Sequence, residues 1–82
     1  MINIEFEKSK CKSLALDNNK EIGECVFVEK EDEWNIIHTQ VDKNYQGQGI
    51  ARRLVEKIIE EADKNNKTII ASCSYAKKII EK

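Results

Sequence analysis

The stretch Gln46-Gly47-Gln48-Gly49-Ile50-Ala51 constrains this chain more than any other, because it joins two segments of different period. Before it, Trp34 to Val41 reads as a long strand with apolar residues on both faces, Trp34 and Ile36 against Ile37, Thr39 and Val41. Such a strand is expected at the centre of a sheet, covered on both sides. After it, Ile50, Leu54, Val55, Ile58, Ile59 and Ala62 recur at the spacing of a helix that buries one stripe. The opposite face carries Arg52, Arg53, Glu56, Lys57, Glu60, Glu61 and Lys64, with Lys57/Glu61 and Glu60/Lys64 one turn apart. Asn65-Asn66 ends the helix, since asparagine tolerates a left-handed cap. Thr68 to Ser72 then reads as a short buried strand. Strand, helix and strand in that order make a parallel crossover, right-handed by the general rule.

The remaining segments are simpler. Ile2, Ile4 and Phe6 alternate with Asn3, Glu5 and Glu7, and Leu14 and Leu16 repeat the alternation over Ser13 to Asp17. Asn18-Asn19-Lys20 suits a hairpin turn. Ile22 to Glu29 is a strand, with Ile22, Val26 and Val28 facing one way and Cys25 and Phe27 the other. Ser74 is placed to cap a last helix reaching Lys82, with Ala76, Ile79 and Ile80 inward. The order is β-β-β-α-β-α, an α+β fold with a mixed, mainly antiparallel sheet and helices on its faces. Residues 1–82 read as one domain.

Composition excludes several classes of function. Lys and Arg number 14 against 15 Asp and Glu, without the basic excess of a general nucleic-acid binder. No apolar run approaches the ~20 residues of a membrane span, and no signal peptide opens the chain. Cys11, Cys25 and Cys73 are odd in number and far apart. That spacing suits neither a disulfide framework nor a metal site, so a reducing, cytoplasmic setting without metal is expected.

Gly47 and Gly49 allow close approach of a ligand to the backbone. A helix start adds unpaired amides and the positive end of the helix dipole, which suits phosphate. The P-loop pattern is excluded, since no Gly-Lys-Ser/Thr ending follows. The dinucleotide pattern is excluded too, because its third glycine would fall at Arg52.

Gln46 to Ala51 matches Q/R-x-x-G-x-G/A, and the surrounding Ile37-His38-Thr39-Gln40-Val41-Asp42, Tyr45 to Val55 and Ala71-Ser72-Cys73-Ser74-Tyr75-Ala76 fit the same pattern. Over roughly residues 22 to 82 the chain resembles the small, single-domain branch of the GCN5-related N-acetyltransferases. The resemblance implies acetyl-CoA as cosubstrate and an amine as acceptor. It also implies two parallel strands that splay apart around the thioester, here 36–41 and 68–72. The cofactor-binding residues would be Val41, Gln46, Gly47, Gln48, Gly49, Ile50, Ala51 and Arg52, with main-chain amides on the pyrophosphate and Arg52 and Arg53 near the 3′-phosphate or adenine.

Acetyl transfer needs a neutral amine, a stabilised thioester oxygen and a proton for the departing thiolate. An amide near Thr39 to Val41 is the expected oxyanion donor. The family motif Asn-x-x-Ala-x-x-Leu-Tyr-Glu-Lys here reads Cys73-Ser74-Tyr75-Ala76-Lys77-Lys78-Ile79-Ile80-Glu81-Lys82, with Cys73 for the asparagine and Ile80 for the tyrosine that commonly protonates the thiolate. Cys73, at a strand end leading into a helix, is the candidate acid or nucleophile. His38 is the candidate base, as the lone histidine on the central strand. Thr39 reads as an ordinary strand residue, and Trp34 and Tyr45 as core and rim. A typical member carries two further strands and a pair of helices that wall the amine site. Their absence here implies an open cleft for a bulky amine, completion by a second subunit as a homodimer, or a non-catalytic CoA-binding module.

Overall fold

Five strands form one sheet whose spatial order follows the chain, β1 (Ile2–Glu7), β2 (Lys12–Asp17), β3 (Lys20–Glu29), β4 (Glu33–Val41) and β5 (Thr68–Ala71). The computed structural model describes residues Met1–Glu81. The first four strands are antiparallel neighbours, and β4 and β5 run parallel. Helix α1 (Ile50–Lys64) makes the crossover between them, and α2 (Ser74–Ile80) follows β5. The expected mixed sheet with one parallel pair is present. Four strands precede α1 where the sequence order counts three, because a single 3-10 turn at Lys8–Lys10 separates β1 from β2. That turn closes on Cys11 in left-handed backbone (φ 54°), a residue with no turn signature of its own.

The asparagines behave as read. Asn18 and Asn19 both have positive φ, 50° and 71°, in the two-residue turn of the β2–β3 hairpin, as the twist of paired strands favours. Asn66 is left-handed just beyond α1, and the Asn65 side chain donates to Glu61 O. The expected extension of the last helix to Lys82 lies outside the described residues, and α2 ends at Ile80.

Two bulges change which residues face inward. Register between β2 and β3 slips at Ile22, which joins Cys25 and Phe27 in the core rather than facing away with Val26 and Val28. Register between β3 and β4 slips at Ile37, because Phe27 pairs with Ile36 while Val26 pairs with His38. An extra residue in one strand reverses the alternation beyond it. Trp34 and Ile36 therefore share a face with Thr39 and Val41, whereas Ile37 is 45% exposed. The apolar residues of β4 that seem to need two covers need only one.

That covered face holds the core. Leu54, Val55, Ile58 and Ala62 of α1 and Ala76 of α2 close over Ala15, Cys25, Phe27, Trp34 and Ile36. Phe6, Phe27 and Trp34 stack, with centroids 4.4 Å apart for Phe27–Trp34. Such aromatic contacts add to the area they bury. On β2 the inward residues are Ser13 and Ala15 rather than the leucines, and buried Ser13 donates its hydroxyl to Leu54 O at 2.9 Å. No helix covers the other face among the described residues. Val28 is 43% exposed there, and Lys12 pairs with Glu24 at 3.2 Å.

One-sided packing sets a contrast between neighbours on β3. Phe27→Ala is expected to cost about 3–5 kcal/mol by urea denaturation, and Val28→Ala less than about 1 kcal/mol. Similar costs at the two positions would refute a sheet covered on one face only.

Candidate active site

The parallel pairing of β4 and β5 stops at Ile36 opposite Ala71, although β4 continues along β3 to Val41. Both Ser72 N–H and Cys73 N–H donate to Ile36 O, at 3.0 and 3.1 Å, and turn the chain away from β4. Asn35 holds this exit by accepting from Ser72 N–H at 2.9 Å and donating to Ser72 Oγ at 3.0 Å. The two strands thus part beyond Ile36, where the separation was expected.

From the end of β4 a 3-10 turn at Lys43–Tyr45 leads to the glycine loop. Its rim is fixed by side chains. Tyr45 donates its hydroxyl to Asp17 Oδ2 at 2.6 Å, and Gln46 Nε2 donates to Val41 O at 3.2 Å. The Tyr45 hydrogen bond, joined by the N-terminal ammonium, holds the Asp17 carboxyl below its usual range. Gly47 and Gly49 both have left-handed backbone, φ 84° and 76°, and a Cβ on either would point into open space. Gly49 caps α1 without a side chain to offer its amides. The first main-chain bond of the helix is Arg53 N–H to Gly49 O, so the amides of Ile50, Ala51 and Arg52 precede the helical ladder.

These groups border a cavity of about 490 Å³. Thr39 and Val41 of β4 form one wall, Tyr45, Gln46, Gly47 and Gly49 the rim, Ile50 and Ala51 the helix end, and Tyr75 of α2 the far side. Of the residues expected to hold the cofactor, Val41, Gln46, Gly47, Gly49, Ile50 and Ala51 meet here. Gln48 and Arg52 do not line it, and the Arg52 guanidinium donates to Glu56 one turn along at 3.0 Å. Tyr75 and Thr39 are the lining residues that sequence reasoning passed over. Thr39 needed the bulge to bring it to this side, and Tyr75 carries no spacing signal of its own.

Cys73, not Ser74, is the N-cap of α2. Its sulfur lies 3.7 Å from Thr39 Oγ1. Burial pushes the thiol up, but the amide of Ala76, the hydroxyl of Thr39 and the amides of Tyr75 and Thr39 outweigh it and hold the thiol below its ordinary value. As a neutral thiol it makes no cap hydrogen bond, so the gain belongs to the thiolate. The amide of Thr39, a candidate oxyanion donor, also favours the thiolate. Cys25 lies behind, its Sγ 3.4 Å from the same Thr39 hydroxyl, and burial pushes its thiol up to about 11.

His38 is not brought beside Cys73. The Ile37 bulge sends it to the open face, 48% exposed, with Gln40 Oε1 at 3.1 Å and Glu24 at 3.9 Å. Among the described residues no cluster of three His, Cys, Asp or Glu could hold a metal ion, and no helix is long and apolar enough to cross a membrane.

The family model described as GCN5-related N-acetyl-transferase matches residues 13–82. Among solved structures, a GCN5-like protein from Staphylococcus aureus is similar at 34% identity and TM-score 0.72, covering 96% of this chain and 78% of that one. The ribosomal-protein-S18-alanine N-acetyltransferase from Escherichia coli is similar at 25% identity and TM-score 0.73, covering 85% and 48%. A candidate streptothricin acetyltransferase from Bacillus anthracis, in complex with acetyl coenzyme A, shares the fold at 24% identity and TM-score 0.69, covering 83% and 44%. The chain thus spans less than half the length of these last two. None of the curated proteins matches it.

The environments of the three thiols predict an order of reaction. Iodoacetamide is expected to modify Cys73 first, with a midpoint below that of an unperturbed thiol as pH rises, since only the thiolate reacts. Cys25 is expected to stay unmodified until the protein unfolds. Peptide-resolved mass spectrometry reads both, and equal rates would refute the assignment.

Proposed function

Because this chain belongs to the GCN5-related N-acetyltransferase family, we propose that it carries acetyl from acetyl-CoA to an amine. The observation that carries the reading is the meeting, at one cavity, of two left-handed glycines and the first two residues of α1, Ile50 and Ala51, whose amides precede the helical ladder. Backbone donors at a helix start suit a pyrophosphate, and the cavity floor at Thr39 leads to Cys73. Gln48 contributes through its main chain, and Arg52 reaches the 3′-phosphate or adenine end only by leaving Glu56.

Cys73 is the nucleophile in this reading. A thiol held below its ordinary pKa is more fully ionised when the thioester arrives, which favours attack over proton donation. Its sulfur bonds to the acetyl carbon while the bond from that carbon to the CoA sulfur breaks, and CoA departs as thiolate. The amine nitrogen then bonds to the same carbon, the bond to Cys73 breaks, and the thiolate is restored. The amine's proton leaves to solvent, since His38, the expected base, stands on the opposite face of the sheet from Cys73. The uncovered face suits a bulky amine such as a protein terminus or lysine. Free thiols and acetyl-CoA use both fit a reducing cytoplasm, and residues 1–82 act as one domain.

A second reading, a CoA-binding module without turnover, draws on one observation. Ile80, half-buried against the core, stands where the family's tyrosine would supply the proton to CoA. The two readings separate on thiol release from acetyl-CoA with mixed amines. Release with binding is expected, and binding alone would support the module.

Acetyl-CoA at about 100 times its Kd is expected to stabilise the protein by about 2.7 kcal/mol, a Tm rise on the order of 10 °C. Gly47→Val or Gly49→Val should abolish that rise while costing only about 1–3 kcal/mol of strain. Cys73→Ala should lower turnover far more than binding. An unshifted Tm in the wild type would overturn the cofactor assignment.

A further inference from the structure

We propose that Thr39 is the positioning residue of the thiol, holding the Cys73 sulfur with two donors while the buried Cys25 thiol fixes the direction of its hydroxyl. The proposal rests on the reading that Cys73 belongs to the active site. Among the described residues Thr39 is the one that hydrogen-bonds to both sulfurs, to Cys25 Sγ at 3.4 Å and, accepting from the neutral thiol, to Cys73 Sγ at 3.7 Å, and it also lines the cavity. Three elements converge there, with Cys25 from β3, Thr39 from β4 and Cys73 from the start of α2.

The polarity follows from burial. Cys25 is fully buried and stays protonated through neutral pH, so its S–H can donate to Thr39 Oγ1. The neutral Cys73 thiol also donates to Thr39 Oγ1, and once that thiol ionises the hydroxyl proton is free to turn to its sulfur. The Thr39 amide adds a second donor, available because β5 no longer pairs with β4 beyond Ile36. Valine in place of threonine keeps the β-branched shape and the amide but removes the hydroxyl. The groups around the Cys73 sulfur are otherwise uncharged: the amides of Tyr75 and Ala76 from α2, the Cys25 thiol from β3 and apolar core. Glu24 and His38 occupy the opposite face of the sheet, and Lys77 and Lys78 of α2 are exposed. Among the described residues, Thr39 is thus the one side chain whose hydroxyl bonds this thiol.

The test is the pH profile of Cys73 alkylation by iodoacetamide on the full chain, read by mass spectrometry without acetyl-CoA. Thr39→Val is expected to raise the midpoint by about one pH unit, and the rate at neutral pH to fall about tenfold, the effect of losing one hydrogen bond to a charged group. Thr39→Ser should return the midpoint close to the wild-type value, and Cys25→Ala should raise it by less than Thr39→Val does. A folded Thr39→Val protein with an unmoved midpoint would overturn the proposal; should that variant fail to fold, Thr39→Ala gives the same reading. Because no acetyl-CoA is present, a protein that never transfers acetyl still decides the role of Thr39. Conversely, an unmoved midpoint beside normal turnover removes Thr39 and leaves the transfer reading standing.

Discussion

Between Phe27 opposite Ile36 and Val26 opposite His38, β4 carries one residue more than β3, and its two faces exchange there. The insertion of Ile37 has three effects. It keeps Trp34 and Ile36 in the core while returning Thr39 and Val41 to the same side. It sends His38 to the open face. It also falls where β5 leaves β4, just before the two β4 residues that line the cavity, Thr39 and Val41. A bulge is retained at such a place because it re-aims side chains at little cost in pairing.

The rest of the chain accommodates that strand with limited means. A sheet of five strands needs an apolar cover on at least one face, and a 15-residue helix with a short second one supplies it. The aromatic stack of Phe6, Phe27 and Trp34 fills the core beside the start of β4, whereas the glycine loop follows its end. Among the described residues Trp34 Nε1 finds no hydrogen-bond partner there, a loss of roughly 1–3 kcal/mol that the stacking and burial of the ring must offset. The opposite face relies on side chains such as Leu14 beneath its cross-strand neighbours Glu5 and Glu24. The half-buried Lys12–Glu24 pair joins β2 to β3 there.

Much of this was legible in the residues. The stripe of α1, the asparagine turns, the parallel crossover and the glycine loop each follow from local chemistry that tertiary contacts did not alter. What was hidden depends on register. Nothing in Ile22 or Ile37 marks either as an extra residue, since isoleucine suits any strand position. Without those slips, Thr39 reads as an ordinary strand residue and His38 as a candidate base on the central strand. The cap at Cys73 was missed for a related reason. Serine is the usual capping residue, and the position was decided by two amides donating to Ile36 O rather than by propensity.

The topology also carries a consequence for the order in which the molecule assembles. β1 to β4 each pair with the next strand in the chain, so their contacts close through short loops. Only the β4–β5 pairing spans the whole of α1, and closing it costs more chain entropy. It is also short, with four pairs ending at Ala71. The natural order is therefore a meander that forms early and a crossover that docks late. The thiol end of the cavity lies on that seam, because Cys73 reaches Thr39 only when β5 has docked. Local opening that releases β5 and α2 would separate sulfur from hydroxyl while leaving the four-stranded meander folded.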